Sequence, residues 1–255
     1  MSQQFLNLYS LPAKVPETEL AGSTVVMIDL LRASTTICQA LASGATEVVP
    51  FLEVAEAMSA AAAGDRSTIV LGGERGGRRI EGFDLGNSPA EYTPDAVGGR
   101  RVFITTTNGT RALGHARLAE RVVVGAIVNL AAVAATVQGA ARVDILCAGT
   151  AGRESRDDLL AAGALVDTLC AAAAGGWKPN DAADAARHEW QSLVAAVHAA
   201  GRSVSEQLAV ELRTTPGGRN LLAIGMDHDL VACAAIDSLH VVPELDAHNW
   251  RITLP

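Results

Sequence analysis

Polar residues that could bind a phosphate ester follow several short apolar segments of the sequence. Asp29 follows TVVMI, Glu74 follows IVLGG, and Thr107 with Asn108 follows RVFITT. Carboxylates can hold a divalent cation, while hydroxyls, arginines and glycine-rich backbone bind phosphoryl oxygens. These residue types therefore indicate phosphate chemistry, provided that the fold brings the segments together.

The apolar segments predict strands and helices that would bring these polar residues together. Between Thr24 and Gly149, short β-branched segments alternate with alanine-rich ones, which is typical of strands followed by helices. The strands are apolar along their whole length, so both faces of the sheet should be covered. We therefore expect an α/β fold with three layers, α/β/α, and a mostly parallel or mixed sheet. The predicted strands cover 24–30, 46–51, 67–73, 101–107, 121–127 and 142–149.

The chain becomes mainly helical after Asp157, and a last strand is predicted over 239–245. Pro243 cannot donate a ladder hydrogen bond, so this strand is expected at an edge of the sheet. Ligands bind beyond the carboxyl ends of parallel strands, where the polar residues lie. The predicted helices cover 32–43, 53–64, 157–175, 181–201 and 203–225, with two more from Asn108 and Leu130.

Composition limits the class of protein. The chain has 255 residues, 49% hydrophobic and 19% charged, which excludes a disordered tail. We expect one domain over residues 1–255, in which 1–23 form an N-terminal extension or edge element. The net charge of -8 disfavours nucleic acids and anionic membranes as partners, although a small anionic ligand remains compatible with local arginines.

Cysteine usage and the N-terminus indicate a cytoplasmic protein. The four cysteines lie far apart in apolar or alanine-rich segments and are expected to be reduced thiols. No signal-peptide pattern is present at the N-terminus. The uncharged segment 122–141 is predicted to be a buried strand followed by a helix rather than a membrane span.

The segment 72–92 is too long and too glycine-rich for a simple connector, and long loops of this kind are commonly functional. The sequence lacks GxSxG, P-loop, GxGxxG and HExxH motifs, so serine esterases, nucleotide kinases, dinucleotide oxidoreductases and zinc proteases lose support. The polar residues of this segment are Arg75, Arg78, Arg79, Glu81, Asp84, Asn87 and Ser88.

Several segments resemble, in order and spacing, the 2-phosphosulfolactate phosphatase family. The resemblance implies a three-layer fold and a magnesium-dependent enzyme that hydrolyses 2-phosphosulfolactate to sulfolactate and phosphate, a step toward coenzyme M. The segments are VMIDLLRAST (26–35), LGGERGG (71–77), EGFDLGNSPAEY (81–92), TTTNGTRAL (105–113) and AGT with DDLLAAG (148–150 and 157–163).

The resemblance also implies roles for individual residues. Asp29 and Glu74 are expected to hold Mg²⁺, and Asp29 and Asp158 are the expected catalytic residues. Either Asp158 orients or deprotonates the attacking water, or Asp29 is itself phosphorylated. The expected substrate-binding residues are Arg32, Arg75, Ser88, Thr107, Asn108, Gly109, Thr110, Arg111 and Thr150.

Two other functions remain open from the sequence. The chain could be a phosphatase of another small phosphorylated hydroxy acid, because pocket residues cannot be ranked from sequence. It could also be a catalytically silent protein that binds small anions. The alanine-rich second half could provide the interface of a homo-oligomer.

Overall fold

A computed structural model of the chain describes residues 3–172 and 176–255. The described part contains a mixed α/β arrangement around one sheet. The strands are β1 (Gln4–Tyr9), β2 (Thr24–Ile28), β3 (Glu47–Pro50), β4 (Ile69–Arg75), β5 (Arg78–Arg79), β6 (Arg101–Thr105), β7 (Arg121–Gly125), β8 (Arg142–Cys147), β9 (Trp177–Pro179), β10 (Glu244–Asp246) and β11 (Arg251–Thr253). The helices are α1 (Ala33–Ala42), α2 (Val54–Ala63), α3 (Pro94–Val97), α4 (Gly109–His115), α5 (Leu130–Val137), α6 (Arg156–Ala172), α7 (Asp181–Ala199), α8 (Val204–Leu212), α9 (Pro216–Ala223) and α10 (His228–Cys233).

The sheet confirms the predicted α/β class. Its strand order is β5-β4-β6-β3-β11-β10-β7-β2-β8-β1-β9. Strands β4, β6 and β3 are parallel to one another, as are β7, β2, β8, β1 and β9. The interior residues of β2, β7 and β8 are all buried, so both faces of these strands are covered.

A C-terminal hairpin joins the two parallel sets of strands. Strand β10 is antiparallel to β7, and β11 is antiparallel to both β10 and β3. Five strand spacings separate β6 from β2, which would be about 24 Å in a flat sheet. Yet a Cβ placed on Gly109, which follows β6, would lie 2.8 Å from Oδ2 of Asp29, which follows β2. The turns that follow β6 and β2 therefore meet, although five strand spacings separate the two strands.

The predicted edge strand over 239–245 is wrong in both extent and place. The strand begins at Glu244 and lies inside the sheet, between β7 and β11. Pro243 precedes it, so its missing N–H costs no ladder bond, and its carbonyl accepts from Val124 N–H at 2.9 Å.

Two further differences concern helices and short strands. The helix predicted over 203–225 is two helices, α8 and α9, because Thr215 caps a new helix whose first residue is Pro216. In the first 23 residues, β1 pairs in parallel with β8 and β9, and β9 is the edge strand. The helix predicted over 157–175 is found as α6, and 173–175 lie outside the described residues.

The predictions on cysteines and membrane spans can also be compared with the structure. All four cysteines are free thiols, and Cys38, Cys147 and Cys233 are buried. Within residues 3–172 and 176–255, none of the helices has the length and apolar character needed to cross a membrane. The segment 122–141 forms β7 and α5, as predicted.

Candidate active site

A cavity of about 210 Å³ lies where the C-terminal ends of several strands converge. Six of the predicted site residues line it: Asp29, Arg32, Glu74, Thr107, Asn108 and Thr150. These residues follow or end β2, β4, β6 and β8. The turns that carry these residues therefore meet at one place. The remaining lining residues are Leu31, Gly76, Gly77, Asn87, Ala151, Gly217, Asn220 and Leu221.

Asp29 occupies the turn between β2 and α1 and is 7% exposed. Its backbone N–H donates to Ser34 Oγ at 2.7 Å, and its Oδ1 accepts from Ala33 N–H at 3.4 Å. Gly109 leaves space for Oδ2. A Cβ at this position would lie 2.8 Å from Oδ2 and 2.6 Å from the Ala33 Cβ. The first turn of α1 and the start of α4 thus fix the orientation of this carboxylate.

The electrostatic surroundings of Asp29 are acidic. Burial, followed by the charges of Glu74 and Asp157, raises the pKa of Asp29 to about 7, while the Ala33 N–H and the Arg32 charge oppose the rise. The carboxylate is therefore held close to others without full compensation. A cation bound beside it would remove this repulsion.

Glu74 is the penultimate residue of β4 and is 8% exposed. Its Oε1 accepts from Thr107 N–H at 2.7 Å, and its Oε2 accepts from Gly77 N–H at 2.8 Å. The preceding Gly73 has φ +149°, and a Cβ there would lie 2.2 Å from the Thr105 carbonyl oxygen. Glycine at this position allows β4 to approach β6 closely, which brings Glu74 to the turn after β6.

Arg32 lines the cavity but already has two protein partners. Its Nη1 donates to Asp229 Oδ2 at 2.6 Å, and its Nη2 donates to the Gly77 carbonyl at 2.7 Å. Ser88 Oγ donates to the other oxygen of Asp229 at 2.5 Å. Asp229, which is fully buried in α10, was not predicted from the sequence. It lies almost two hundred residues from Arg32, and one aspartate in a helical segment carries no local signal of this pairing.

A chain of hydroxyls leads from the cavity to a second buried carboxylate. Thr150 lines the cavity, and its hydroxyl lies 3.1 Å from Ser155 Oγ. Ser155 Oγ donates to Asp157 Oδ1 at 2.6 Å, so the Thr150 hydroxyl donates to Ser155. Burial raises the pKa of Asp157, and hydrogen bonds oppose that rise.

Two backbone N–H groups hold Asp158, the predicted catalytic carboxylate, outside the cavity lining. Its Oδ1 accepts from Leu30 N–H at 2.8 Å and its Oδ2 accepts from Gly149 N–H at 2.9 Å. The side chain is buried and does not line the cavity. Asp158 therefore connects the chain segments that follow β2 and β8. Burial, followed by the charges of Asp157 and Asp29, raises its pKa, and the two N–H donors oppose that rise.

Five predicted substrate-binding residues do not line the cavity. Ser88 and Gly109 support Asp229 and Asp29 as described, and the hydroxyl and N–H of Thr110 bond to Thr106. The exposed Arg75 points to the Leu52 carbonyl and the Thr105 hydroxyl. Arg111 is exposed on α4, outside the cavity lining. Of the three predicted substrate-binding arginines, Arg32 alone lines the cavity.

Two asparagines line the cavity without a predicted binding role. Asn87 belongs to the 72–92 segment, and its Oδ1 is buried without a hydrogen-bond partner among the described residues. Asn220 comes from α9 and donates to the Gly76 carbonyl at 3.4 Å. The polar, glycine-rich composition of 72–92 was a signal for Asn87, whereas α9 offered none for Asn220.

The donor set fits a divalent cation shared between protein and ligand. Mg²⁺ binds through one or two carboxylates together with substrate phosphate and water oxygens. Asp29 and Glu74 supply two carboxylates in one cavity. In the described parts of the chain, no cluster of three or more His, Cys, Asp or Glu residues could hold a metal by itself. The geometry therefore suits an open cation site rather than a closed protein cage.

Comparison with known proteins also indicates a phosphatase. The family model described as 2-phosphosulpholactate phosphatase matches residues 9–248. The chain belongs to this family. A probable 2-phosphosulfolactate phosphatase of Synechococcus sp. (strain RCC307) is 38% identical over 247 residues, covering 94% of this chain and 96% of the relative.

Two further relatives share the same printed name. The protein of Caldanaerobacter subterraneus subsp. tengcongensis is 37% identical, covering 94% of this chain and 95% of the relative. That of Symbiobacterium thermophilum is 40% identical, covering 89% and 93%. The family and the cavity together indicate a phosphatase, and the resemblance drawn from the sequence is confirmed.

Proposed function

We propose that the chain is a magnesium-dependent phosphatase that hydrolyses 2-phosphosulfolactate to sulfolactate and phosphate. The observation that carries the proposal is the charge of the cavity lining. Its charged residues are Asp29, Glu74 and Arg32, and Arg32 is already paired with Asp229. A substrate with about four negative charges would be repelled by such a lining, so a divalent cation is needed to bind it.

The chain's own residues provide the positions for this chemistry. Asp29 and Glu74 would hold Mg²⁺, which when bound neutralises charge on the phosphoryl oxygens. The Thr107 and Asn108 side chains line the same cavity and can donate hydrogen bonds to oxyanions, whereas the Thr150 hydroxyl already donates to Ser155. A loose phosphoryl transition state needs mainly positioning and charge neutralisation, which this lining supplies.

Arg32 orients the anionic end of the substrate. Its guanidinium is fixed by Asp229 and the Gly77 carbonyl, so little side-chain entropy is lost when a ligand binds. The Gly77 N–H also bonds Glu74, which couples the position of Arg32 to that of the carboxylate. The sequence resemblance implies a role in coenzyme M biosynthesis, and the free cysteines favour a cytoplasmic enzyme.

Two routes of phosphoryl transfer are compatible with this lining. In one, a water oxygen attacks phosphorus and the sulfolactate oxygen leaves. In the other, Asp29 Oδ2 attacks phosphorus as the sulfolactate oxygen leaves, and water then attacks the same phosphorus, which releases phosphate and frees Asp29. Mass spectrometry of the acid-quenched reaction separates them, because a phosphorylated peptide containing Asp29 appears only in the second route.

Phosphate release from a panel of substrates tests the proposal. The panel contains 2-phosphosulfolactate and phosphorylated hydroxy acids without sulfonate, each with and without Mg²⁺. We expect Mg²⁺-dependent release that is fastest with 2-phosphosulfolactate, and Asp29→Asn should abolish it while the circular dichroism spectrum is retained. Preference for another hydroxy acid would transfer the assignment to that substrate. No release from any member would favour a silent anion-binding protein.

A further inference from the structure

The Thr150 hydroxyl belongs to a hydrogen-bond chain whose direction is fixed. Ser155 Oγ donates to Asp157 Oδ1 at 2.6 Å, which uses the only proton of the serine hydroxyl. The Thr150 hydroxyl lies 3.1 Å from Ser155 Oγ and must therefore donate to it. Because this donation uses the proton of Thr150, its oxygen can act toward any further partner only as an acceptor.

Burial makes Thr150 the member of this chain that a ligand can reach. Ser155 and Asp157 are 1% and 2% exposed, and both lie outside the cavity lining. Thr150 is partly exposed and lines the cavity. Its backbone exchanges two hydrogen bonds with Arg153, at 2.8 and 3.0 Å, so the residue is positioned before any ligand binds.

The carboxylate at the other end of the chain lies directly behind the cavity wall. A Cβ on Gly217, which lines the cavity, would lie 3.6 Å from Asp157 Oδ2 and 3.7 Å from its Oδ1. The charge of Asp157 also contributes to the raised pKa of Asp29 in the cavity. An ionised carboxylate can only accept hydrogen bonds, so Asp157 keeps the chain from reversing its direction.

Asn108 has the opposite hydrogen-bonding role in the same cavity. Its Oδ1 accepts from Ala151 N–H at 3.3 Å, so its NH₂ group is the part that can serve a ligand. The ionised phosphate, sulfonate and carboxylate of the proposed substrate are acceptors, and they match the donor of Asn108 rather than the oxygen of Thr150. Of the two reactants, only water has protons to donate to Thr150.

We propose that Thr150 Oγ1 accepts a hydrogen bond from the water that attacks phosphorus, and that Ser155 and Asp157 are positioning residues that hold Thr150 in this role. This inference rests on the proposed function. It assigns the Thr150 hydroxyl to the water, whereas the sequence indicated a contact with the substrate.

The assignment applies to both routes of phosphoryl transfer. In the direct route, the water oxygen bonds to phosphorus as the bond to the sulfolactate oxygen breaks. One water proton then stays on phosphate and the other ends on sulfolactate. In the aspartyl-phosphate route, the same water breaks the bond between phosphorus and Asp29, whose carboxylate is restored, and phosphate keeps both protons.

Steady-state kinetics with the substrate that is hydrolysed fastest test the assignment. Thr150→Val removes the hydroxyl at nearly constant shape, Thr150→Ser retains it, and Ser155→Ala interrupts the chain. Ser23→Ala is the matched control, because Ser23 is also 1% exposed and donates to the Leu20 carbonyl at 2.8 Å. Ser23 precedes β2, whereas the cavity lies beyond the other end of this strand. Circular dichroism and urea midpoints verify that each variant is folded, and Thr150→Ala replaces Thr150→Val if the latter is not.

We expect kcat to fall about a hundredfold in Thr150→Val while KM stays within about threefold, because the hydroxyl acts on water and not on bound substrate. Thr150→Ser should keep kcat within about fivefold of the unsubstituted protein. Ser155→Ala should lower kcat about tenfold at similar KM, and Ser23→Ala should change neither constant by more than about twofold.

The double variant Thr150→Val/Ser155→Ala separates positioning from a general structural effect. Since Ser155 acts through Thr150, the double variant should have the kcat of Thr150→Val alone. Losses that multiply would show that Ser155 acts independently, and they would overturn its positioning role.

Two results for Thr150→Val would overturn the inference while the proposed function stands. One is an unchanged kcat, and the other is a raised KM at unchanged kcat, which would show that Thr150 contacts the substrate. Absence of phosphate release by the unsubstituted protein from every substrate would instead refute the proposed function, and this inference with it.

Discussion

Adjacent aspartates at the start of α6 perform different tasks. Asp158 binds two backbone N–H groups, from Leu30 and Gly149, whereas Asp157 accepts from the Ser155 hydroxyl that leads to Thr150 in the cavity. Both side chains are buried. From the sequence, Asp158 rather than Asp157 was the expected catalytic residue, and only the direction of each side chain from the helix separates a structural from a cavity-linked carboxylate.

Asp158→Asn should affect folding more than catalysis. An amide can accept from only one of the two N–H groups through oxygen and presents its own NH₂ to the other, so the free energy of unfolding should fall by about 1–3 kcal/mol. Urea denaturation measures this loss, with the exposed Asp95→Asn as the control. A large fall in kcat with unchanged unfolding would restore the catalytic role.

The raised pKa of Asp29 makes stability depend on pH in a defined direction. In metal-free protein the native state keeps this proton up to about pH 7, whereas the unfolded chain loses it near 3.8. Between these values the native state binds more protons, so this carboxyl makes the free energy of unfolding fall as pH rises. Asp29→Asn removes that dependence.

Thermal or urea unfolding in chelator tests this expectation. Asp29→Asn should gain stability relative to the unsubstituted protein at about pH 8, and the gain should shrink toward about pH 5. A difference between the two proteins that is the same at both pH values would show that Asp29 does not hold a proton in the native state.

At the scale of elements, α10 fixes α1 and the 72–92 segment at the cavity. The buried pair Arg32–Asp229 joins α10 to the start of α1, and Ser88 binds the same carboxylate. Asp229→Ala would leave the Arg32 charge buried and unpaired, so it should lower the free energy of unfolding by about 3–5 kcal/mol. Asp227→Ala, which removes an exposed carboxylate two residues away, should cost less than about 1 kcal/mol. Equal effects of the two substitutions, measured by urea unfolding, would contradict this account of α10.

The sequence predicted the elements whose signals are local. The buried strands β2, β4, β6, β7 and β8 were recognisable because their residues are apolar on both faces, and the polar turns that follow them held six lining residues. By contrast, β9, β10 and β11 have three residues each. Such short strands form because they pair with neighbouring strands, and a local sequence pattern does not predict that pairing. Asp229 and Asn220 were missed for the same reason, since distant contacts determine their roles.

At the scale of the whole molecule, the C-terminal hairpin holds the two halves of the sheet together. Strand β11 pairs with β3 and β10 pairs with β7, while Asp29 and Glu74 come from opposite sides of this join. Removal of residues 243–255 should therefore abolish cooperative unfolding and phosphatase activity. Removal of 254–255 alone, which follow β11, is the control. A truncated chain with an unchanged urea midpoint would show that the hairpin is dispensable.

The proposed function depends on one central claim, that a divalent cation held by Asp29 and Glu74 allows an acidic cavity to bind a highly charged phosphate ester. A crystal structure with Mg²⁺, sulfolactate and phosphate tests it most directly. We expect the cation at about 2.0–2.1 Å from an oxygen of each carboxylate, with a phosphate oxygen completing its coordination. A cation and product bound elsewhere, with both carboxylates free, would contradict the claim.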